Sequence, residues 1–341
     1  MSVYRNACGL VSLGAGKVLK RGTLPCSVIS RDPPIIAAFG WDFINGLPEI
    51  LGALPSRQKS YVLWKLGYEC ETPERLKQEA EFYHRLDDTG KNIECTYLCN
   101  SPKEVKNLEG RGIRAVLCNH NSFIDERKFP LLPHCTKTFD AVYQAMVTPC
   151  KRHHLAGQIE RLLVIGGCQH YEKEYALKEM GTIPHARWIK KVLGFNVHKH
   201  FASAHVGLCL SDREGAMYAS AEYLLCGLPV VNTPNIGGRD EFFGPEYTRT
   251  VEPTEEAVAQ AVYELMERKI DPYYIREAAL KKMQVHRDNY LNLLESIFKK
   301  EGKNFDRERA WKKFFFHKLG VRTVVSPWVS WHNLLRPNTF R

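Results

Sequence analysis

Four short apolar runs in the second half of the chain, FDAVYQAM (139–146), RLLVIGG (161–167), HVGLCLS (205–211) and LPVVNT (228–233), are separated by helix-compatible segments. Apolar runs of strand length that alternate with helices argue for a parallel sheet buried on both faces. The first half repeats the theme in PIIAAFGW (34–41), SYVLW (60–64), IECTYLC (93–99) and RAVLCN (114–119), which predict a smaller α/β unit. A chain of 341 residues, 44% of them apolar, is longer than one core usually organises and can fill two. The stretch Lys128 to Thr138, with Pro130 and Pro133, is the expected linker, because proline resists helix continuation and interior strand pairing. A substrate cleft is expected between the two units.

After Pro253 the pattern turns helical. Thr254 can cap, Glu255 and Glu256 suit the positive end of a helix dipole, and Ala257, Val258, Ala261, Val262 and Leu265 recur at helical spacing. Further helices are expected over 272–300 and 306–318.

No stretch approaches the roughly 18 apolar residues of a membrane span, and the first 22 residues lack a hydrophobic signal region, which predicts a cytoplasmic protein. The eleven cysteines, among them Cys118, Cys209 and Cys226, sit among apolar neighbours as reduced thiols do. Cys95 and Cys99 have no second Cys/His pair at zinc spacing. A formal charge of +10 favours anionic partners: nucleic acid, an acidic membrane surface or a diphosphate.

The most informative segment is LCLSDREGAMYASAEYLLCGLPVVNTPNIGGRDEFF, residues 208–243. It reads as strand, tight turn, helix from about Ala216 to Cys226, glycine stop at Gly227, strand, and a second glycine turn. The helix begins at the carboxyl end of a parallel strand, where its free N–H groups and dipole suit a phosphate. Glu214 lies in the turn and Glu222 eight residues on, about 12 Å along a helix at 1.5 Å per residue. Two carboxylates so spaced can grip opposite ends of an extended ligand.

EGAMYASAE resembles the Glu-x7-Glu signature of glycosyltransferase family 4, and the Pro-Val-Val and Gly-Gly elements that follow extend the likeness. The resemblance implies an α/β GT-B fold: two Rossmann-like domains with parallel sheets facing an interdomain cleft. Residues 1–136 would form the acceptor-side domain, 137–290 the donor domain, and 291–341 helices packing back on the first domain or on a membrane surface. It implies further that Glu214 approaches the transferred sugar as the catalytic residue and that Glu222 binds the ribose hydroxyls. Gly215, Ala216, Gly237 and Gly238, with Asp240 and Glu241, would lie beside the donor. AVYQAMVTPCKRHHLAG resembles the loop that supplies cations to the donor diphosphate, with Lys151 and Arg152 the candidates. Gln144 stands where the family typically has arginine, and His153 and His154 read as surface residues. In the first half, Ser101, Asn119, Asp125 and Phe129 carry a weaker likeness. The histidine that many members place at the end of an earlier strand is missing, and His120 reads as a structural residue.

The implied reaction is transfer of a glycosyl unit with retention of configuration, from a UDP- or GDP-sugar as co-substrate to a glycan or lipid-linked acceptor, without a required metal. The leaving phosphate would help to deprotonate the acceptor. No Asp-x-Asp motif is present. The basic, aromatic stretch 309–341 suits either an anionic membrane surface or burial between domains, and SLGAGKV (12–18) is too loose for a phosphate loop. Gln144 and the missing histidine keep open a catalytically silent GT-B scaffold. Basicity alone motivates a nucleic-acid-binding protein, but no recognisable module accompanies it and nucleic acid is not the expected partner.

Overall fold

The computed structural model describes residues 24–39, 58–87, 92–192, 196–315, 317–319 and 323–325. SLGAGKV and the end of PIIAAFGW lie outside them. Among the described residues the strands are β1 (Leu24–Arg31), β2 (Pro34–Phe39), β3 (Ser60–Lys65), β4 (Ile93–Cys99), β5 (Ala115–Leu117), β6 (Phe139–Gln144), β7 (Leu162–Ile165), β8 (Arg187–Ile189), β9 (Ala204–Cys209), β10 (Val230–Asn232), β11 (Thr248–Thr250) and β12 (Thr323–Val325). The helices are α1 (Pro73–Asp87), α2 (Pro102–Glu109), α3 (Lys173–Gly181), α4 (Val197–Ala202), α5 (Tyr218–Leu225), α6 (Glu255–Glu267), α7 (Pro272–Lys300) and α8 (Arg307–Phe314).

The strands form two six-stranded sheets, ordered β12-β1-β2-β3-β4-β5 and β11-β10-β9-β6-β7-β8. The second is parallel throughout. In the first, β2 to β5 are parallel, while β1 pairs antiparallel with β2 and β12 antiparallel with β1. Strands buried on both faces explain the continuous apolar runs. Val62 and Trp64 of β3 enter one core and Tyr61 and Leu63 the opposite one. In the second sheet Val142, Leu163 and Val230 face one core, and Tyr143, Val164 and Val231 the other.

Side-chain caps set several helix starts. Ser101 accepts from Glu104 N–H, Thr254 from Ala257 N–H, and Asp271 from Tyr273 N–H ahead of Pro272. α7 spans the expected boundary between 290 and 291. Its first half buries Ile275, Ala279 and Met283 against the second sheet, and its second half buries Leu294, Ile297 and Phe298 against the first. Midway, Arg287 donates to Ser122 O (2.9 Å) and Ile124 O (3.2 Å), and pairs with Glu126 (2.9 Å). The expected helix 306–318 ends at Phe314. A short 3-10 turn, His317–Leu319, follows, and Ala310, Phe314 and Leu319 are buried against the first sheet.

Candidate functional site

The order of the second sheet reverses between β6 and β9, so the chain departs to opposite sides from their carboxyl ends and leaves a crevice there. The two loops that matter follow those strands: 145–157 after β6 and 210–217 after β9. Arg239, fully buried, anchors the second loop by donating to Ser211 O (2.6 Å) and Thr233 O (2.5 Å) while pairing with Asp240.

Lys151 from the first loop and Glu214 from the second form an ion pair, both side chains largely shielded, with Lys151 lining the cleft and Glu214 set behind it, outside the lining. Burial holds the Lys151 ammonium below its usual pKa. The Glu214 amide donates to Ile236 O (3.0 Å), which ties its turn to the Gly237 loop. Arg152 points elsewhere, its Nε donating to Leu210 O (2.7 Å) and Nη2 to Thr233 Oγ1 (2.8 Å). It does not line the cleft beside Lys151. His153 corrects the surface reading: it is fully buried against the Tyr143 ring, 4.6 Å between centroids, and burial pushes its pKa down to about 4. His154 is partly exposed and meets Glu179 at 2.9 Å.

The cleft itself encloses about 1300 Å³. Among the described residues, Lys151, Lys190, Lys191, Arg127, Lys128 and Lys318 line it against a single carboxylate, Glu222. Glu222 is 1% exposed; its Oε1 accepts from Lys318 Nζ at 2.5 Å, and its Oε2 is buried with no protein hydrogen-bond partner. Gln144, at the end of β6, presents a second unpartnered buried acceptor, Oε1. A buried acceptor without a donor is costly, so such atoms mark places that fit a ligand's hydroxyl or N–H groups. Acceptors inside a cationic cleft fit a polyhydroxylated anion.

The expected helix start at Ala216 moves to Tyr218, because Met217 adopts a left-handed conformation (φ 48°) and Asn121 Nδ2 draws in Ala216 O (2.7 Å) and Met217 O (3.2 Å). Gly215 and Ala216 therefore face the first sheet's loops, and Met217, Tyr218 and Ala219 line the cleft. Gly237 and Gly238 also meet the first unit. A Cβ on Gly237 (φ 113°) would stand 1.8 Å from Glu214 O, and one on Gly238 would stand 2.3 Å from Asn100 O. Asn119 Nδ2 bridges Gly238 O and Asn100 O, each at 2.8 Å. The glycine pair thus lets two backbones meet where the units join.

His120 is buried in the 3-10 turn at 120–123, with a pKa lowered by burial to about 3. Cys95 and Cys99 are buried thiols on β4, and among the described residues no group of three or more His, Cys, Asp or Glu could hold a metal ion. Also among the described residues, no helix is long and apolar enough to cross a membrane. Asn121, Tyr218 and Lys318 escaped the sequence reading; Lys318 meets Glu222 across 96 residues of chain, which no local pattern signals.

Residues 136–282, less than half the chain, match the family of glycosyl transferases group 1. No curated protein matches. Among solved structures, sucrose-phosphate synthase from Thermosynechococcus elongatus is similar at a TM-score of 0.56 and 15% identity, over 78% of this chain and 74% of that one. Anabaena HepE, solved in complex with UDP, is similar at 0.54 and 13%, over 78% of each chain. TarM of S. aureus, solved with fondaparinux, alpha-GlcNAc-glycerol and UDP, is similar at 0.58 and 13%, over 78% of this chain and 56% of its own. At such identities the likeness is one of fold: the chain has the α/β GT-B architecture, two Rossmann-like units facing a cleft.

Proposed function

We propose that the chain is a family 4-like glycosyltransferase that moves a sugar from a UDP- or GDP-sugar to a glycan or lipid-linked acceptor with retention of configuration. The observation that carries this reading is Glu222, a buried carboxylate with one oxygen unpartnered, set in a lysine-lined cleft at the switch point of a parallel sheet. A nucleoside diphosphate meets both demands. Its ribose diol donates to the carboxylate, and its phosphates meet the cations. Residues 137–290 would form the donor unit and 1–136 the acceptor side, with an anionic membrane surface as the place of a lipid-linked acceptor.

In this reading the diphosphate lies between Lys151 and the N-terminus of α5, where the free N–H groups and dipole add to the ammonium charge. Negative charge grows on the leaving oxygen as the bond to the sugar breaks, and a fixed cation there favours the transition state over the ground state. Glu214, paired to Lys151, sets acceptor oxygens for the sugar hydroxyls beside the breaking bond. The departing phosphate takes the acceptor's proton on the same face, so configuration is kept.

Thermal stabilisation and donor hydrolysis across UDP- and GDP-sugars, in the native chain and in Glu214→Ala and Glu222→Ala, test this. A donor at 100 times its dissociation constant adds about 2.7 kcal/mol. A donor-specific shift with turnover that both variants lose supports the transferase; a folded protein that no donor stabilises sinks it.

A further inference from the structure

The 317–319 turn stands out because Leu319 is anchored in the core of the first unit while Lys318 faces the cleft, so the turn is fastened to both walls. On the side of the first sheet, Leu319 O accepts from Lys65 Nζ (2.6 Å) and Ser27 Oγ (3.2 Å), and His317 Nδ1 accepts from Asp125 N–H (3.0 Å). On the side of the donor unit, Lys318 reaches Glu222 Oε1 and lies 4.4 Å from the centroid of the Tyr218 ring. Lys318 and Leu319 both take left-handed backbone conformations (φ 60° and 41°), which residues with a Cβ adopt only when their surroundings impose it. The anchors therefore fix the backbone and leave the four-carbon stem of Lys318 projecting into the cleft.

Resting on the donor reading of the cleft, we propose that Lys318 is a donor-binding residue with two positions: it holds Glu222 until a nucleotide's ribose replaces it, and then pairs with the diphosphate. Two hydroxyls of a ribose engage a carboxylate most fully through both of its oxygens, and one of those of Glu222 is taken by Lys318. Ribose capture and the Lys318–Glu222 bond compete. The ammonium has a second station close by. Tyr218 and Glu222 are four residues apart on α5, so just over one helical turn, about 6 Å along the axis, separates Glu222 from the helix start where a diphosphate is favoured. A swing of the lysine side chain covers that distance with the turn's backbone held in place. The Tyr218 ring, within cation–π range, flanks the path. The exchange moves one positive charge from the protein carboxylate to the ligand phosphate, and the ribose hydroxyls take its place on Glu222. It also makes the site selective: a nucleoside without phosphates must break the ion pair and gives Lys318 nowhere to go.

The test compares ligands with and without phosphate. Calorimetric binding of uridine, UDP, guanosine and GDP is measured for the native chain, Lys318→Met, which keeps the stem, and Lys318→Arg, which keeps the charge. Melting temperatures establish that each variant folds. With the nucleotide of the matching base, Lys318→Met is expected to tighten the nucleoside and to cut the preference for the diphosphate over the nucleoside by roughly tenfold or more, the scale of one hydrogen bond to a charged group. Lys318→Arg is expected to stay within about threefold of native for the diphosphate, because the cation is retained. A native chain that binds UDP or GDP, with a Met variant that does not bind the nucleoside more tightly or that keeps the native preference for the diphosphate, overturns the two-position role and leaves the donor reading standing. A native chain that binds none of the four ligands overturns the donor reading and this inference together. If Lys318→Met fails to fold, a native chain whose UDP or GDP affinity exceeds that for the matching nucleoside by less than tenfold also overturns it.

Discussion

Lys151 and Glu214, 63 residues apart in sequence, form one partly buried ion pair at the crevice between β6 and β9. Neither loop positions its own charge alone. The Tyr143 hydroxyl, rising from β6, donates to Lys151 O (2.7 Å), and the Glu214 turn is tied to Ile236. Replacing Lys151 by Met is expected to lower donor turnover by about 10²–10³-fold, the range for losing one preorganised electrostatic group. Glu214→Gln is expected to fall in the same range. Because each side chain holds the other, the double variant should lose much less than the product of the two, and kcat from a donor-hydrolysis assay on all four proteins checks this.

Glu222 predicts a different signature, one of binding. Glu222→Gln removes the charge proposed to accept the ribose hydroxyls and is expected to weaken UDP or GDP by about 10–100-fold, the equivalent of about 1.5–3 kcal/mol. The native chain should also discriminate against the 2′,3′-dideoxy nucleotide, and the variant should not. Equal discrimination in both proteins would place the ribose elsewhere.

The long parallel strands were legible because burial on both faces leaves a run such as Tyr61–Val62–Leu63–Trp64 with no polar interruption. The three-residue strands at the sheet edges, β8, β11 and β12, were not. Arg187–Trp188–Ile189 is an edge strand whose first residue is exposed, and nothing in its composition separates it from a loop. α5 starts two residues later than its sequence predicts because its start is decided from outside the segment, by Asn121 reaching across from the other unit. His153 looked like a solvated member of a Lys-Arg-His-His turn, yet the turn folds under the sheet and buries that one ring on Tyr143. Glu214 and Glu222 were legible as a spaced pair. Their cationic partners differ in this respect, since Lys151 sits in a recognisable strand-to-helix loop and Lys318 reaches the site only through the tertiary fold.

The glycine pair predicts an outcome for stability and activity at once. Gly237→Ala places a methyl 1.8 Å from Glu214 O at a φ of 113°, so the turn that carries Glu214 must shift. An expected loss of about 2 kcal/mol or more in urea unfolding should accompany loss of turnover. Gly181→Ala serves as the control, because the added methyl meets nothing within 4 Å and the residue ends α3. It should leave stability unchanged or slightly raised, and turnover intact.

His153 predicts a pH-dependent effect of known sign. Its folded pKa, about 4, lies below the unfolded value near 6.5, so on acidification the unfolded chain takes up a proton that the folded chain refuses. The stability owed to neutral His153 is fully present above pH 6.5 and lost as pH falls towards 4, at about 1.4 kcal/mol per pH unit. Other groups titrate over the same range. Glu104, raised by burial to about 8, works in the opposite direction, so the curve of the native chain alone would not isolate the histidine. The comparison with His153→Phe does, because every other group contributes alike to both proteins and the phenyl ring keeps the stacking on Tyr143. Unfolding free energies at pH 7 and pH 5 should show the variant gaining on the native chain by about 2 kcal/mol at the lower pH. A difference between the two proteins that is the same at both pH values would mean that His153 takes up its proton in the folded state and is open to solvent.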